Sequence, residues 1–165
     1  MTAITWPLAK GANRIRRGLI NHTFGMVRRR ADGSKRPHQG WDFEAKDGTP
    51  CFAVADGVIA AVRDIGDYGK QVILKFVHDF DHDGDNDTVF AFYAHLSRID
   101  VQQGQPVAMG QQIGLTGSTG NAKGMKWPDT HLHFELRTMA MPPTGLTGRL
   151  SPLAIFGVCP MEEAV

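Results

Sequence analysis

Two histidines one residue apart, His131 and His133, are the side chains best placed to share chemistry. In His131-Leu132-His133-Phe134-Glu135-Leu136-Arg137 the apolar residues alternate, which is the period of a half-buried strand, so both imidazoles leave the opposite face together. At a rise of roughly 3.3 Å per residue they stand about 6 to 7 Å apart, close enough to serve one small site. Upstream, Pro37-His38-Gln39-Gly40-Trp41-Asp42-Phe43 adds an imidazole and a carboxylate, and Tyr93-Ala94-His95-Leu96-Ser97 adds a further imidazole. This inventory suits Zn²⁺, one ion per chain. Catalytic zinc takes three nitrogen or oxygen ligands from the protein and keeps its fourth position for water. His38, Asp42 and one of His131 or His133 make such a set, and the spacing does not choose between the two. The imidazoles left over can move protons near pH 7. Taken singly, each residue has a plainer reading, as a solvent-facing histidine or a surface carboxylate; their number favours a shared site.

A second group is less persuasive. Aspartates at 79, 81, 83, 85 and 87 with Gly84 among them resemble the start of a Ca²⁺ loop, but the later bidentate Glu is missing. Asp, Asn and Gly also make ordinary exposed turns, and that is the favoured reading of 79–87. Arg28, Arg29, Arg30, Lys35 and Arg36 concentrate positive charge just before His38, as a solvated loop does. No aromatic residues interleave with them, so nucleic acid is not an expected partner. A formal net charge of +1 selects no partner either.

The elements that must hold these residues are mostly strands. With 19 Gly and 9 Pro in 165 residues, the chain is rich in turns and long enough for one core. Cys51–Ala55 and Val58–Val62 flank Asp56-Gly57, which predicts a hairpin. The runs 71–77 and 88–93 predict a second hairpin with the acidic stretch at its tip. Short strands follow at 101–107 and 110–117, and Pro106 must avoid a central ladder position. His38 and Asp42 bracket a bend entering a strand, with Trp41 and Phe43 inward and Asp42 on the histidines' side. Residues 21–37 read as a long polar loop, 1–20 as an N-terminal extension able to pack on the groove, 150–156 as a last packing segment, and 161–165 as frayed. Cys51 and Cys159 fit either one long-range disulfide or two separate thiols. No segment has the length and apolarity of a membrane span, and no signal peptide is visible.

His38-x-x-x-Asp42, Tyr93-Ala94-His95-Leu96-Ser97 and His131-x-His133, in this order, resemble the lysostaphin-type or LytM-domain zinc metallopeptidases of the M23 family. The similarity runs from about Phe24 to Pro152 and includes Gly48-Thr49-Pro50, Ala53-Val54-Ala55-Asp56-Gly57, Ile113-Gly114 and Gly117-Ser118-Thr119-Gly120. The resemblance implies a mainly β, two-sheet antiparallel fold with a substrate groove and little helix, spanning 21–160. It implies a zinc endopeptidase cutting stem peptides or cross-links of bacterial peptidoglycan, in the periplasm or the extracellular wall. Carried over by position, His38, Asp42 and His133 are the zinc ligands, and His95 and His131 the catalytic pair that deprotonates water and stabilises the anionic intermediate. Tyr93, Asn121 and Trp127 are candidates to line the groove.

The loop Asn121–Thr130 and the Asp-rich tip are longer than is usual in that family, and the first should reshape one groove wall. A wall-cutting site without an export signal suggests release with a phage, or delivery as an antibacterial effector, which would need a cognate immunity protein in its producer. A monomer is expected. The rival reading is a non-hydrolytic LytM-type regulator or binding module, or a site blocked by Asn13, Asn21 or His22 from the N-terminal segment.

Overall fold

Alternating apolar residues and frequent glycines build an antiparallel β structure, described for residues 2–165 in the computed structural model. Its strands are β1 (Gly25–Arg29), β2 (Lys35–His38), β3 (Trp41–Glu44), β4 (Pro50–Phe52), β5 (Gly57–Asp64), β6 (Lys70–His78), β7 (Asp87–Ile99), β8 (Pro106–Val107), β9 (Gln112–Thr116), β10 (His131–Arg137) and β11 (Arg149–Leu150), and a short helix α1 spans Leu153–Phe156. The main sheet runs β11-β10-β7-β6-β5-β8, with β3 also on β10 and β4 joined through β9, which pairs with β7; β1 and β2 form a separate hairpin. Pro106 accordingly lies at the sheet edge.

The strand β10 sits between β7 on one side and β3 and β11 on the other. Leu132, Phe134 and Leu136 enter the main apolar cluster with Trp41, Phe43 and Tyr93. Burying Phe43 and Phe134, each at 0% exposure, stabilises the fold by about 1.5–3 kcal/mol apiece. The other face carries His131, His133, Glu135 and Arg137, and these too are buried. The strand is therefore covered on both sides rather than half-buried, because polar partners roof its histidine face.

Several sequence expectations need correction. Asp56-Gly57 is not a hairpin turn, for β4 pairs with β9 while β5 pairs with β6 and β8. A Cβ on Gly57 would meet the Lys75 carbonyl oxygen at 2.2 Å, so glycine is there to let strands approach closely. Residues 21–37 contain the β1–β2 hairpin, turning at Asp32-Gly33, where a single long loop was expected. The C-terminus is tied down: Asn13 Nδ2 donates to the Val165 carbonyl at 2.8 Å. The N-terminal segment packs largely on the apolar face, with Leu8 and Ile15 in the core and Trp6 stacked on Phe156 at 4.3 Å, and its Arg16 reaches the lining of the cavity. Cys51 and Cys159 are free thiols.

Candidate metal centre

Antiparallel pairing of β3 with β10 sets Asp42 directly opposite His133. His38 arrives from the end of β2 through a turn that needs Gly40, whose added Cβ would meet the Phe134 carbonyl oxygen at 2.1 Å. His38 Nε2 then lies 3.1 Å and His133 Nδ1 2.8 Å from Asp42 Oδ1, and His131 Nε2 approaches the same oxygen at 3.8 Å. One ligand atom from each of His38, Asp42 and His133 falls within 4.8 Å of the others, and all three side chains are buried. His95 completes the group, its ring centroid 5.1 Å from that of His131 and 6.0 Å from that of His133.

His95 owes its position to an irregularity. The β6–β7 register passes from Lys70↔Leu96 to Val72↔Tyr93, so Ala94 and His95 together oppose Gln71 as a bulge, and His95 has φ +60°. Bulges re-aim side chains, and left-handed backbone at a residue other than glycine is uncommon. The same bulge explains why Tyr93 does not line the groove. In a regular strand residues 93 and 95 would share a face; here Tyr93 is fully buried in the core, its hydroxyl donating to the Phe52 carbonyl and accepting from the Val54 amide. Trp127 also stays out of the cavity, half exposed beneath the Lys46 ammonium, whereas Asn121 does line it.

Each imidazole is oriented from behind. His38, His95 and His131 place Nδ1 at 2.8, 2.8 and 2.9 Å from the carbonyls of Thr23, Thr119 and Asp129. A carbonyl only accepts, so these Nδ1 atoms carry the protons and each Nε2 turns a lone pair inward. His133 is held the other way round, its Nε2 2.9 Å from Glu135 Oε1 and its Nδ1 toward Asp42. Lone pairs and a carboxylate oxygen thus converge, an arrangement that calls for positive charge among them. Burial opposes a charged His133, yet the hydrogen bonds and charges of Asp42 and Glu135 outweigh it and lift that ring to about 9. The proton sits where a cation would, and the nitrogen and oxygen donors are those zinc prefers. Burial, with repulsion from His133 and His131, pushes His95 down to about 4, and burial likewise lowers His38 and His131.

Asp42 is held on its outer oxygen. Arg28 Nη2 donates to Oδ2 at 2.8 Å, and His22 Nδ1 lies 3.2 Å from it. Burial would raise this carboxyl, but His38, His133 and His22 outweigh it and keep it well below the usual range. His22 therefore braces a ligand rather than plugging the site, while Asn13 is locked in the core by the Leu8 amide. Behind His133, Glu135 accepts from Tyr68 Oη at 2.8 Å, Arg137 Nε at 2.6 Å and Arg149 Nε at 2.7 Å. The bracing residues Arg28, Tyr68, Glu135, Arg137 and Arg149 were not singled out from sequence. Alternation does put Glu135 and Arg137 on the histidines' face, but the others come from elements whose proximity only the fold reveals. The whole opens into a cavity of about 700 Å³.

The family model described as Peptidase family M23 matches residues 36–144, a span holding all five histidine and aspartate positions of the centre. The peptidoglycan DD-endopeptidase ShyA of Vibrio cholerae is 35% identical over 118 residues, covering 72% of this chain and 24% of that protein. A zinc containing peptidase from Vibrio cholerae superposes with a TM-score of 0.67 at 25% identity, over 97% of this chain and 41% of the other. The catalytic domain of the antimicrobial peptidase lysostaphin from Staphylococcus simulans gives 0.57 at 28% identity, over 82% and 90% respectively. This chain spans about a quarter of the length of the curated relatives it matches.

Proposed function

Since the chain belongs to peptidase family M23, we propose that it is a zinc-dependent endopeptidase that hydrolyses a peptide bond in the stem peptides or cross-links of bacterial peptidoglycan, outside the cytoplasm. The observation that carries this reading is the inward convergence of His38 Nε2, Asp42 Oδ1 and His133 Nδ1, with two further imidazoles beside them whose inward nitrogens are unprotonated. When bound there, zinc supplies a Lewis acid that polarises the scissile carbonyl and acidifies water.

The chain does the rest. Arg28 and His22 fix the outer oxygen of Asp42, so that Oδ1 is the atom offered inward, and Glu135 fixes the His133 ring. His95 and His131 are neutral above their lowered pKa values, so a proton from attacking water can pass to an Nε2 of this pair. The ring that takes it becomes an N–H donor, able to stabilise the anionic intermediate and then to protonate the leaving nitrogen.

Purified zinc-loaded protein should release soluble peptides from isolated sacculi, and a chelator or His131→Ala should stop the release. Intact zinc binding with no release from any sacculus type would overturn the hydrolytic reading in favour of a binding module.

A further inference from the structure

The cavity is strongly cationic, although the chain as a whole is nearly neutral. Most of its arginines are already matched: Arg28 by Asp42, Arg16 by Asp129, and Arg137 and Arg149 by Glu135. Two others that line it, Arg36 and Arg63, have no carboxylate partner among the described residues, and the carboxylates on the lining are Asp42 and Asp67. Arg36 is exposed on β2 and, two residues from His38, projects from the same face of that strand. That offset is about 6 to 7 Å, or roughly two residues of an extended peptide. A second cavity of about 550 Å³ shares Arg16, Arg28 and Arg36 with the first and adds Arg29, so the positive wall continues away from the centre.

Resting on the peptidase reading above, we propose that Arg36 forms a subsite for a free carboxylate carried by the substrate one or two residues from the scissile amide. A guanidinium offers a planar fork that matches a carboxylate with paired N–H···O bonds. The substrate class this selects is a direct cross-link whose diamino acid keeps its α-carboxylate beside the cleaved bond. An oligoglycine bridge is neutral along its length and gives the subsite nothing to hold. Because Arg36 is exposed, the interaction weakens as salt screens it.

The test uses two synthetic cross-linked peptides that differ only at that position, one a free acid and the other its carboxamide. Wild-type zinc-loaded protein should prefer the acid by about 10-fold in kcat/KM, and metal-free protein should bind a non-cleavable acid tighter than its amide by a similar ratio. Arg36→Gln should bring both ratios within about 2-fold, Arg36→Lys should retain part of them, and 0.5 M salt should shrink them in wild type. Equal handling of acid and amide by wild type, or an unchanged ratio in Arg36→Gln, overturns the subsite. Cleavage of oligoglycine peptides but of neither cross-link would also overturn it while leaving the peptidase reading intact. Failure to cut any peptide would instead sink the peptidase reading, and the binding ratio on metal-free protein would still decide for or against Arg36.

Discussion

The cluster at His38, Asp42 and His133 and the tip of the β6–β7 hairpin both gather atoms able to hold a cation, but they are built in opposite ways. At the tip, Asp79, Asp81 and Asp83 also bring oxygens within 4.8 Å of one another. There the carboxylates serve their own turn: Asp79 accepts from the Asp83 amide at 3.1 Å and the Gly84 amide at 3.2 Å, and Asp83 accepts from the Asp85 amide at 2.9 Å. In the centre the outward atoms of the ligands are taken by other groups, the Thr23 carbonyl behind His38, Arg28 behind Asp42 and Glu135 behind His133, which leaves the inward atoms facing one another. What stands behind the ligands distinguishes a metal centre from a polar turn, more than the ligand types do.

Removing a ligand from each region gives the sharpest contrast. His38→Ala, Asp42→Ala and His133→Ala should each abolish stoichiometric zinc, read by elemental analysis, and reduce peptide release to background. A His133→Ala protein that kept one zinc per chain would show the ligand set to be wrong. Next in size, His95→Ala and His131→Ala should keep the zinc and lower the rate about 10²- to 10⁴-fold, as loss of an acid–base group does. If either variant lost the metal as well, the division between ligands and proton carriers would fail.

The bracing can be attacked without touching a ligand. Arg28→Met removes the charged one of the two groups on Asp42 Oδ2, leaving His22, while its aliphatic part can still pack, and should weaken zinc binding about 10- to 100-fold in a competition titration. Undiminished affinity would mean that Asp42 needs no support from the β1–β2 hairpin. Glu135→Gln is a harsher probe, since it leaves Arg137 and Arg149 buried without their counter-charge. It should destabilise the metal-free fold by about 3–5 kcal/mol as well.

The pattern of residues 131–137 predicted a strand with both histidines on one face, and β10 is that strand. Asp42 was rightly placed on the histidines' side because Trp41 and Phe43 had to face the core. Tyr93 was misplaced because a bulge is a matter of register with a partner strand, and register is invisible in one segment read alone. The Asp56-Gly57 hairpin failed for a related reason: a glycine that admits a neighbouring backbone looks, in sequence, like a glycine that turns. Arg28, read as part of a solvated loop, meets Asp42 only once β1 and β2 pair and fold against it.

Protons and zinc compete for His133. Its folded-state value, raised to about 9, means that between the unfolded value of 6.5 and about 9 zinc must displace one proton from the ring. Zinc affinity should therefore fall about tenfold per unit as pH is lowered through that window. The sign for the metal-free protein is the reverse. A raised folded pKa contributes stability that is full below 6.5 and lost as pH climbs through about 9, so its melting temperature should drop over that range while that of the zinc-loaded protein does not. A zinc affinity flat from pH 6.5 to 9 would place the competing proton elsewhere.

The smallest effects belong to the tip. Asp81→Asn and Asp83→Asn keep a carbonyl oxygen that can accept the same backbone amides, and these side chains are exposed, so stability should stay within about 0.5 kcal/mol of wild type. Zinc content should not change. Ca²⁺, titrated by calorimetry, should bind no tighter than about 10⁻³ M, since exposed carboxylates engaged by their own turn must give up those bonds or share them. Submillimolar Ca²⁺ binding that Asp83→Asn removed would reverse the contrast: the tip would then be a second metal site whose aspartates are pre-arranged by the very amides that here look like their only occupation.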